Sequence, residues 1–289
     1  MSPSAERQDP EASYRANRAW WDAVTPAHVR SDFYDVPGFL AGRNTIPQFV
    51  LDEVGDVRGR SLLHLQCHFG LDTLSWARLG ATVTGVDFSE ASIAEARRLA
   101  REAGLNASFV VADVIKLGDR FDGAFDIVFT SFGVVCWLHD LAPWAEAVAR
   151  ALGPGGTFHI AEFHPLMDSL DDRRAIRRTS DLVLRYPYFH DGRPHIRADE
   201  EGWGDYADRS FRAGLPTHEW YHSLGELFEA VTAAGLAVQS FREYPFCTYQ
   251  AREGMVKGHD GLWRMPDGVL QVPLTFTLRA RKPQRRPGT

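Results

Sequence analysis

From about residue 60 to residue 165 the chain alternates short apolar runs with amphipathic stretches. The runs Leu62–Leu65, Thr82–Val86, Ala107–Val111, Ile127–Thr130 and Thr157–Glu162 predict buried strands. Between them, Asp72–Leu79, Ser89–Ala103 and Leu141–Leu152 carry the helical period. Ser89 and Ser92 supply N-cap chemistry for the second of these, and Gly104 its stop. Strands alternating with helices predict an α/β fold around a mostly parallel sheet with right-handed crossovers.

After Glu162 the rhythm breaks. An acidic and basic stretch, Asp168–Arg178, precedes the strand-like LVLRYPYFH. Asp191-Gly192 then predicts a hairpin turn into PHIRADEE, so residues 165–222 read as an antiparallel cap. The core resumes at Ser223, which opens a capping box with Glu226 for a helix over Leu224–Ala234. Strand candidates Ala237–Glu243 and Leu270–Ala280 close it, bringing the strands to seven. Upstream, Tyr14–Val24 predicts a short helix, and residues 1 to about 12 read as disordered. The organisation is therefore an N-terminal segment and lid (1–44), a core (45–164), a cap (165–222), completion of the core sheet (223–282) and a tail (283–289).

Composition narrows the function classes. The chain has 289 residues, 44% hydrophobic and 24% charged, enough to bury a full core. A net charge of −6 without a basic stripe argues against nucleic acid, and no apolar run reaches membrane-spanning length. The three cysteines, Cys67, Cys136 and Cys247, have neither metal-knuckle nor redox spacing. With no apolar leader, they predict free thiols in the cytoplasm.

The chemistry centres on SLLHLQCHFGLDTLSWARLGATVTGVDFS, a strand, turn, helix and strand ending on Asp87. An acid at the tip of the second strand is how a parallel sheet holds a nucleoside. Leu62–Gly70 resembles the hydrophobic-Asp-hydrophobic-Gly-Cys-Gly-x-Gly turn of class I S-adenosylmethionine-dependent methyltransferases. Ala112-Asp113-Val114, FDIVFTSFGVVCWL and Leu152-Gly-Pro-Gly-Gly156 resemble that family's later motifs in order. The departures lie in the first turn: His64 replaces the usual acid, and Gln66 and His68 replace glycines, tolerable if their φ angles are negative.

The resemblance implies a Rossmann-like sheet with helices on both faces and an antiparallel last strand. It implies S-adenosyl-L-methionine as cofactor and a small-molecule acceptor methylated at O, N or C by direct in-line displacement. Cofactor contacts would fall to Gln66, His68, Gly70, Asp87 (ribose), Phe88, Asp113 (adenine), Val114 and Ser131. Glu162 and His164, just past the fifth strand, are the candidate bases; Tyr34, Phe132, His218 and Trp220 are candidate acceptor contacts. His28 is a further lid candidate.

Three rival readings have discriminating features. A nicotinamide oxidoreductase requires G-x-G-x-x-G, where this chain has Gln66, His68 and Leu71. A non-catalytic cofactor-binding scaffold would bind without turnover. His218-Glu219-Trp220-Tyr221-His222 matches the zinc pattern HExxH, which needs one helix. Pro216-Thr217 before it predict an extended segment, with the two histidines roughly 13 Å apart and no shared metal.

Overall fold

The computed structural model describes residues 9–197 and 205–284. The chain begins with α1 (Pro10–Arg30), α2 (Val36–Leu40) and α3 (Gln48–Val54). The alternating core follows as β1 (Ser61–Leu65), α4 (Leu71–Arg78), β2 (Thr82–Asp87), α5 (Glu90–Glu102), β3 (Ala107–Val111), β4 (Phe125–Ser131), α6 (Leu141–Ala151) and β5 (Leu152–Phe163). Next come α7 (Pro165–Ser169), β6 (His195–Arg197) and β7 (Thr217–Glu219). The chain closes with α8 (Leu224–Ala233), β8 (Ala237–Tyr244), β9 (Val256–Lys257), β10 (Trp263–Arg264) and β11 (Thr275–Arg281).

Seven strands form one sheet in the order β3-β2-β1-β4-β5-β11-β8. β11 runs antiparallel to both its neighbours; the pairs from β3 through β5 are parallel. Side chains alternate across the sheet. Leu63 and Leu65 join a buried cluster with Trp144 and Val148 of α6 and Leu227 and Val231 of α8. Leu62, Ile127 and Phe129 face the other way, onto Val50 of α3 and Trp76 of α4. Helices thus cover both faces, and the sheet's edge strands are β3 and β8.

Caps and periodicity explain the core helices. Ser89 accepts from the Ser92 amide at the start of α5, whose Ile93, Ala96, Leu99 and Ala100 are buried. Asp140 caps α6, and Ser223 with Glu226 forms the expected capping box of α8.

Several expectations are corrected. The first helix starts at Pro10, not Tyr14, because Asp9 accepts from the Glu11 amide and Pro10 is preset for the first turn. It runs on to Arg30 through Pro26 because one face is buried along its length and packs against α5 and β7. Residues 10–12 are therefore helical. The run LVLRYPYFH is not a strand: Leu184 makes an isolated bridge to Leu170, and Pro187 lacks an amide for a ladder. β6 pairs instead with β7. Ala198 to Glu201 of PHIRADEE, and Trp203, lie outside the described residues.

The cap also draws on two segments rather than one. Met167, Leu170 and Ile176 pack with Cys247, Ala251, Met255, Met265 and Val269 in a separate apolar cluster. The last strand consequently begins at Thr275, since Val269 belongs to the cap. β5 begins at Leu152 and not at the expected Thr157, so Gly153-Pro154-Gly155-Gly156 lies inside it, opposite a register shift in β4.

Candidate active site

One cavity of about 1250 Å³ opens at the carboxyl ends of β1, β2, β4 and β5, between the core and the cap. Its lining includes Gln66, His68, Gly70, Asp87, Phe88, Asp113, Val114, Ser131, Tyr34, Phe132, Trp220 and Glu162. His164 and His218 are not among the residues lining it.

The turn after β1 departs from the expectation of negative φ. Gln66 and His68 have φ values of 54° and 50°, and Gly70 has 82°. A side chain in this left-handed region costs about 1–2 kcal/mol. Gly70 has no alternative, since a Cβ there would lie 2.8 Å from the Phe109 ring and 2.9 Å from Ala96. The two strained residues are held by hydrogen bonds. The His68 amide donates to Asp87 Oδ2 at 2.8 Å, and Gln66 Nε2 donates to the Val134 carbonyl at 2.8 Å.

Asp87 ends β2 with its other oxygen accepting from the Ser89 amide at 2.9 Å. Burial pushes its carboxyl up to about 6, against the pull of these amides. Asp113 follows β3 and accepts from the Ile115 amide at 3.2 Å, which leaves its second oxygen near Lys116, 3.7 Å away. Phe88 and Val114 line the space between them.

His64 is buried and hydrogen-bonded to Thr73 Oγ1 at 2.8 Å; burial lowers its imidazole to about 3, so it is neutral. The carboxylate of this neighbourhood comes from Asp72, in the first turn of α4. Asp72 accepts from Ser131 Oγ at 3.1 Å and from Thr45 Oγ1 at 2.5 Å.

Glu162 does not stand free as a base. Its carboxylate accepts from the amides of Gly133, Val134 (2.7 Å), Val135 (3.1 Å) and Phe163 (2.7 Å). It clamps the loop after β4, where Phe132 and Gly133 have φ of 35° and 71°. His164 caps α7, accepting from the Leu166 amide at 3.0 Å, and its Nε2 meets Glu243 Oε1 at 2.9 Å. It stands behind the cavity wall for that reason.

The HExxH residues part ways. His218 Nδ1 meets Ser13 Oγ at 2.9 Å, and Asn17 brackets the His218 backbone, docking β7 onto α1. His222 Nε2 meets the Leu138 carbonyl at 2.6 Å and stacks on His190. Glu219 pairs with Arg197 at 3.4 Å. Trp220 is buried, its amide donating to the Cys136 carbonyl at 2.8 Å, and it borders the cavity. Tyr34 bonds Tyr206 through the two hydroxyls, and both line the cavity.

Beyond Glu162 lies a polar group of which only Asp168 and Asp172 fall in the stretch whose sequence reads as a linker. Asp168, Asp172, Arg197, Glu219, Tyr221 and Arg252 line one end of the cavity. Arg197 pairs with Asp172 at 3.2 Å and with Glu219. The Arg252 guanidinium donates to the carbonyls of Met167 (2.6 Å) and Leu170 (3.1 Å), joining the two cap segments. Asp168, on α7, faces the cavity, and burial pushes its carboxyl up to about 7 even with Arg252 nearby. Its position five residues past the end of β5 is the available signal. Trp137, Phe163, Phe246 and Tyr249 add aromatic walls.

The donor set fits S-adenosylmethionine. Asp87 presents a carboxylate toward the cavity, and Gln66 Oε1 is a buried acceptor with no partner. These suit ribose hydroxyls and a cationic amino group, respectively.

Residues 62–156 match the model of a methyltransferase domain. The chain is 31% identical over 204 residues to a ubiquinone biosynthesis O-methyltransferase of Caulobacter sp. (strain K31), covering 68% of this chain and 75% of that protein. It is 34% identical over 201 residues to the protein of the same name from Alkalilimnicola ehrlichii, covering 67% and 74%. A solved S-adenosylmethionine-dependent methyltransferase from Methanosarcina mazei shares the fold, with a TM-score of 0.55 at 18% identity over 83% of this chain and 99% of that one. The chain belongs to the class I S-adenosylmethionine-dependent methyltransferases. It is an enzyme that uses S-adenosylmethionine to methylate a small molecule. Among the described residues no helix is long and apolar enough to cross a membrane.

Proposed function

We propose that the enzyme methylates a hydroxyl oxygen on an aromatic small molecule, with Asp168 as general base. The observation that carries this reading is the Asp168 carboxylate facing an aromatic-walled chamber continuous with the Asp87 end of the cavity. Two relatives named as O-methyltransferases of ubiquinone biosynthesis support the choice of oxygen.

When bound, S-adenosylmethionine supplies a methyl group on a sulfonium, open to in-line attack by a nucleophile. The chain's part is to hold and prepare that nucleophile. Asp87 and Asp113 hold the ribose and adenine, with Phe88 and Val114 against the base. Gln66, His68 and Gly70 shape the methionine end, with Ser131 and Asp72 beside it. Phe132, Trp220 and Tyr34 bound the acceptor, and Asp168 takes the hydroxyl proton as oxygen becomes nucleophilic. A carboxylate raised toward neutrality is a better base for a weakly acidic hydroxyl than an ordinary one. Glu162 keeps the floor of the chamber in place. Residues 1–44 and 165–222 serve as lid and cap to the core, and the enzyme works in the cytoplasm on a diffusible acceptor.

The test is a panel of phenols and catechols, each paired with its ring-matched aniline and thiol, assayed with methyl-labelled S-adenosylmethionine and product mass spectrometry. Methyl ethers formed only from the hydroxyl compounds support the reading. Methylated nitrogen or carbon in preference to oxygen overturns it.

A further inference from the structure

Asp72 holds a carboxylate in the cavity wall with no cation beside it. It stands in the first turn of α4, keeps some exposed surface, and lines the cavity. Its partners are two neutral hydroxyls. Ser131 Oγ donates to Oδ2 at 3.1 Å, and Thr45 Oγ1 donates to Oδ1 at 2.5 Å. Ser131 ends β4 and Thr45 precedes α3, so the carboxylate is fixed by segments distant in sequence. Among the described residues no lysine, arginine or histidine forms an ion pair with it. Arg43, whose charge reaches Asp72, pairs with Asp35 at 3.0 Å instead.

The other acids near this end of the cavity are committed. Asp87 accepts from the His68 and Ser89 amides, Asp113 has Lys116 at 3.7 Å, and Glu162 is filled by backbone amides. The first strand adds no charge, because His64 is neutral. Its Nδ1 meets Thr73 Oγ1, and its Nε2 lies 3.5 Å from Ser131 Oγ. A carboxylate held away from water without a counter-charge is costly, and burial raises Asp72 above its ordinary value. A cationic group on a ligand removes that cost. Two hydroxyl donors leave the carboxylate lone pairs for such a group. Gln66 Oε1 is a further acceptor without a partner, its amide nitrogen being fixed on the Val134 carbonyl. It is neutral, so it cannot balance a charge alone.

We propose that Asp72 is the counter-charge for the α-ammonium group of S-adenosylmethionine, with Gln66 Oε1 as a second, neutral acceptor. This rests on the reading that the turn after β1 holds the methionine end of the cofactor. Negative charge for that end then comes from a helix, where the strand tip offers only the neutral His64. Ser131 and Thr45 are positioning residues, since their hydroxyls aim the Asp72 carboxylate and do not themselves carry charge. A cofactor analogue without its amino group leaves Asp72 as unbalanced as in the free enzyme.

Calorimetric titration of the full chain tests this with two ligands, S-adenosylhomocysteine and its des-amino analogue, adenosylthiobutanoate. The analogue keeps the adenosine, the sulfur and the carboxylate. The wild type binds the amino compound about 10- to 100-fold tighter, the range for a hydrogen bond to a charged group. Asp72→Asn loses most of that preference by weakening the amino compound alone. Asp72→Ser, which places a hydroxyl among those of Thr45, Ser75 and Ser131, repeats the comparison where the asparagine variant fails to fold. A variant that weakens both ligands equally, or that keeps the wild-type preference, overturns the assignment to Asp72 and leaves the turn as the cofactor site. A wild type that binds both ligands alike overturns the reading of the turn as well, because no acceptor there then meets the ammonium group.

Discussion

The Asp87 carboxylate accepts the amide hydrogen of His68 at 2.8 Å, although His68 stands in the left-handed region at φ 50°. The residue that ends the second strand therefore also braces the turn after the first. Asp87 has one oxygen on His68 and the other on the Ser89 amide, with lone pairs left for a ligand. Strain at a site like this persists only where the surroundings over-determine it.

Asp87→Asn puts an NH₂ group where a backbone amide already points, and it removes the charge that strengthens a ribose contact. Two charge-assisted bonds weakened by about 1–1.5 kcal/mol each predict a loss in S-adenosylhomocysteine affinity of about 30- to 150-fold. The wild-type affinity should fall as pH drops below about 6, where the Asp87 carboxyl takes up a proton. The sign follows from a raised value: the carboxylate form that accepts both hydroxyls is lost on the acid side. Calorimetry between pH 5 and pH 8, on both proteins, measures it. An affinity flat with pH in the wild type speaks against Asp87 as the ribose acceptor.

Asp168→Asn should lower kcat by about 10²- to 10⁴-fold, the range for a lost general base, with cofactor affinity unchanged. In the wild type kcat should rise with pH through about 7 as the carboxylate forms. The variant should lose that rise. An Asp168→Asn enzyme with near-normal turnover moves the base elsewhere.

The same carboxylate opposes folding. Its folded-state value, about 7, exceeds the ordinary carboxylate value of 3.8, so between these limits the folded chain holds a proton that the unfolded chain releases. Stability therefore falls from about pH 4 to about pH 7 and stays down above it. Asp168→Asn removes this cost, which is about 2–4 kcal/mol. Thermal melts should show the variant more stable than the wild type at pH 8, with the difference closing by pH 4. An unchanged melting temperature at pH 8 means the group is less buried than its surroundings imply.

The core was legible because its signals are local. Leu62 to Leu65, Asp87 and Ser89 announce strand, tip acid and cap within a few residues, and each lies where pattern and capping chemistry put it. The acceptor chamber was not, because it is assembled from residues distant in sequence. Asp168 and Arg197 gain meaning only when Arg252 ties α7 to a segment some eighty residues on, by its bonds to Met167 and Leu170. His164 and His218 looked functional by type and position, yet a helix cap and Ser13 claim them. Gln66 and His68 could not be read either way, since φ is a property of the folded turn.

Glu162 offers the sharpest contrast between a residue that reacts and one that holds. Both its oxygens are occupied by amides of the Gly133–Val135 loop and of Phe163. Glu162→Gln keeps the size but turns an NH₂ toward donors, leaving at least one buried amide unpaired. That costs about 1–3 kcal/mol in stability, seen as a lower melting temperature. Activity should fall as well, since Phe132 and Gly133 shape the chamber floor in left-handed conformations. The pH dependence of kcat should nevertheless keep its rise through about 7, because Asp168 remains. Loss of that rise in Glu162→Gln, with melting unchanged, would return the base to Glu162.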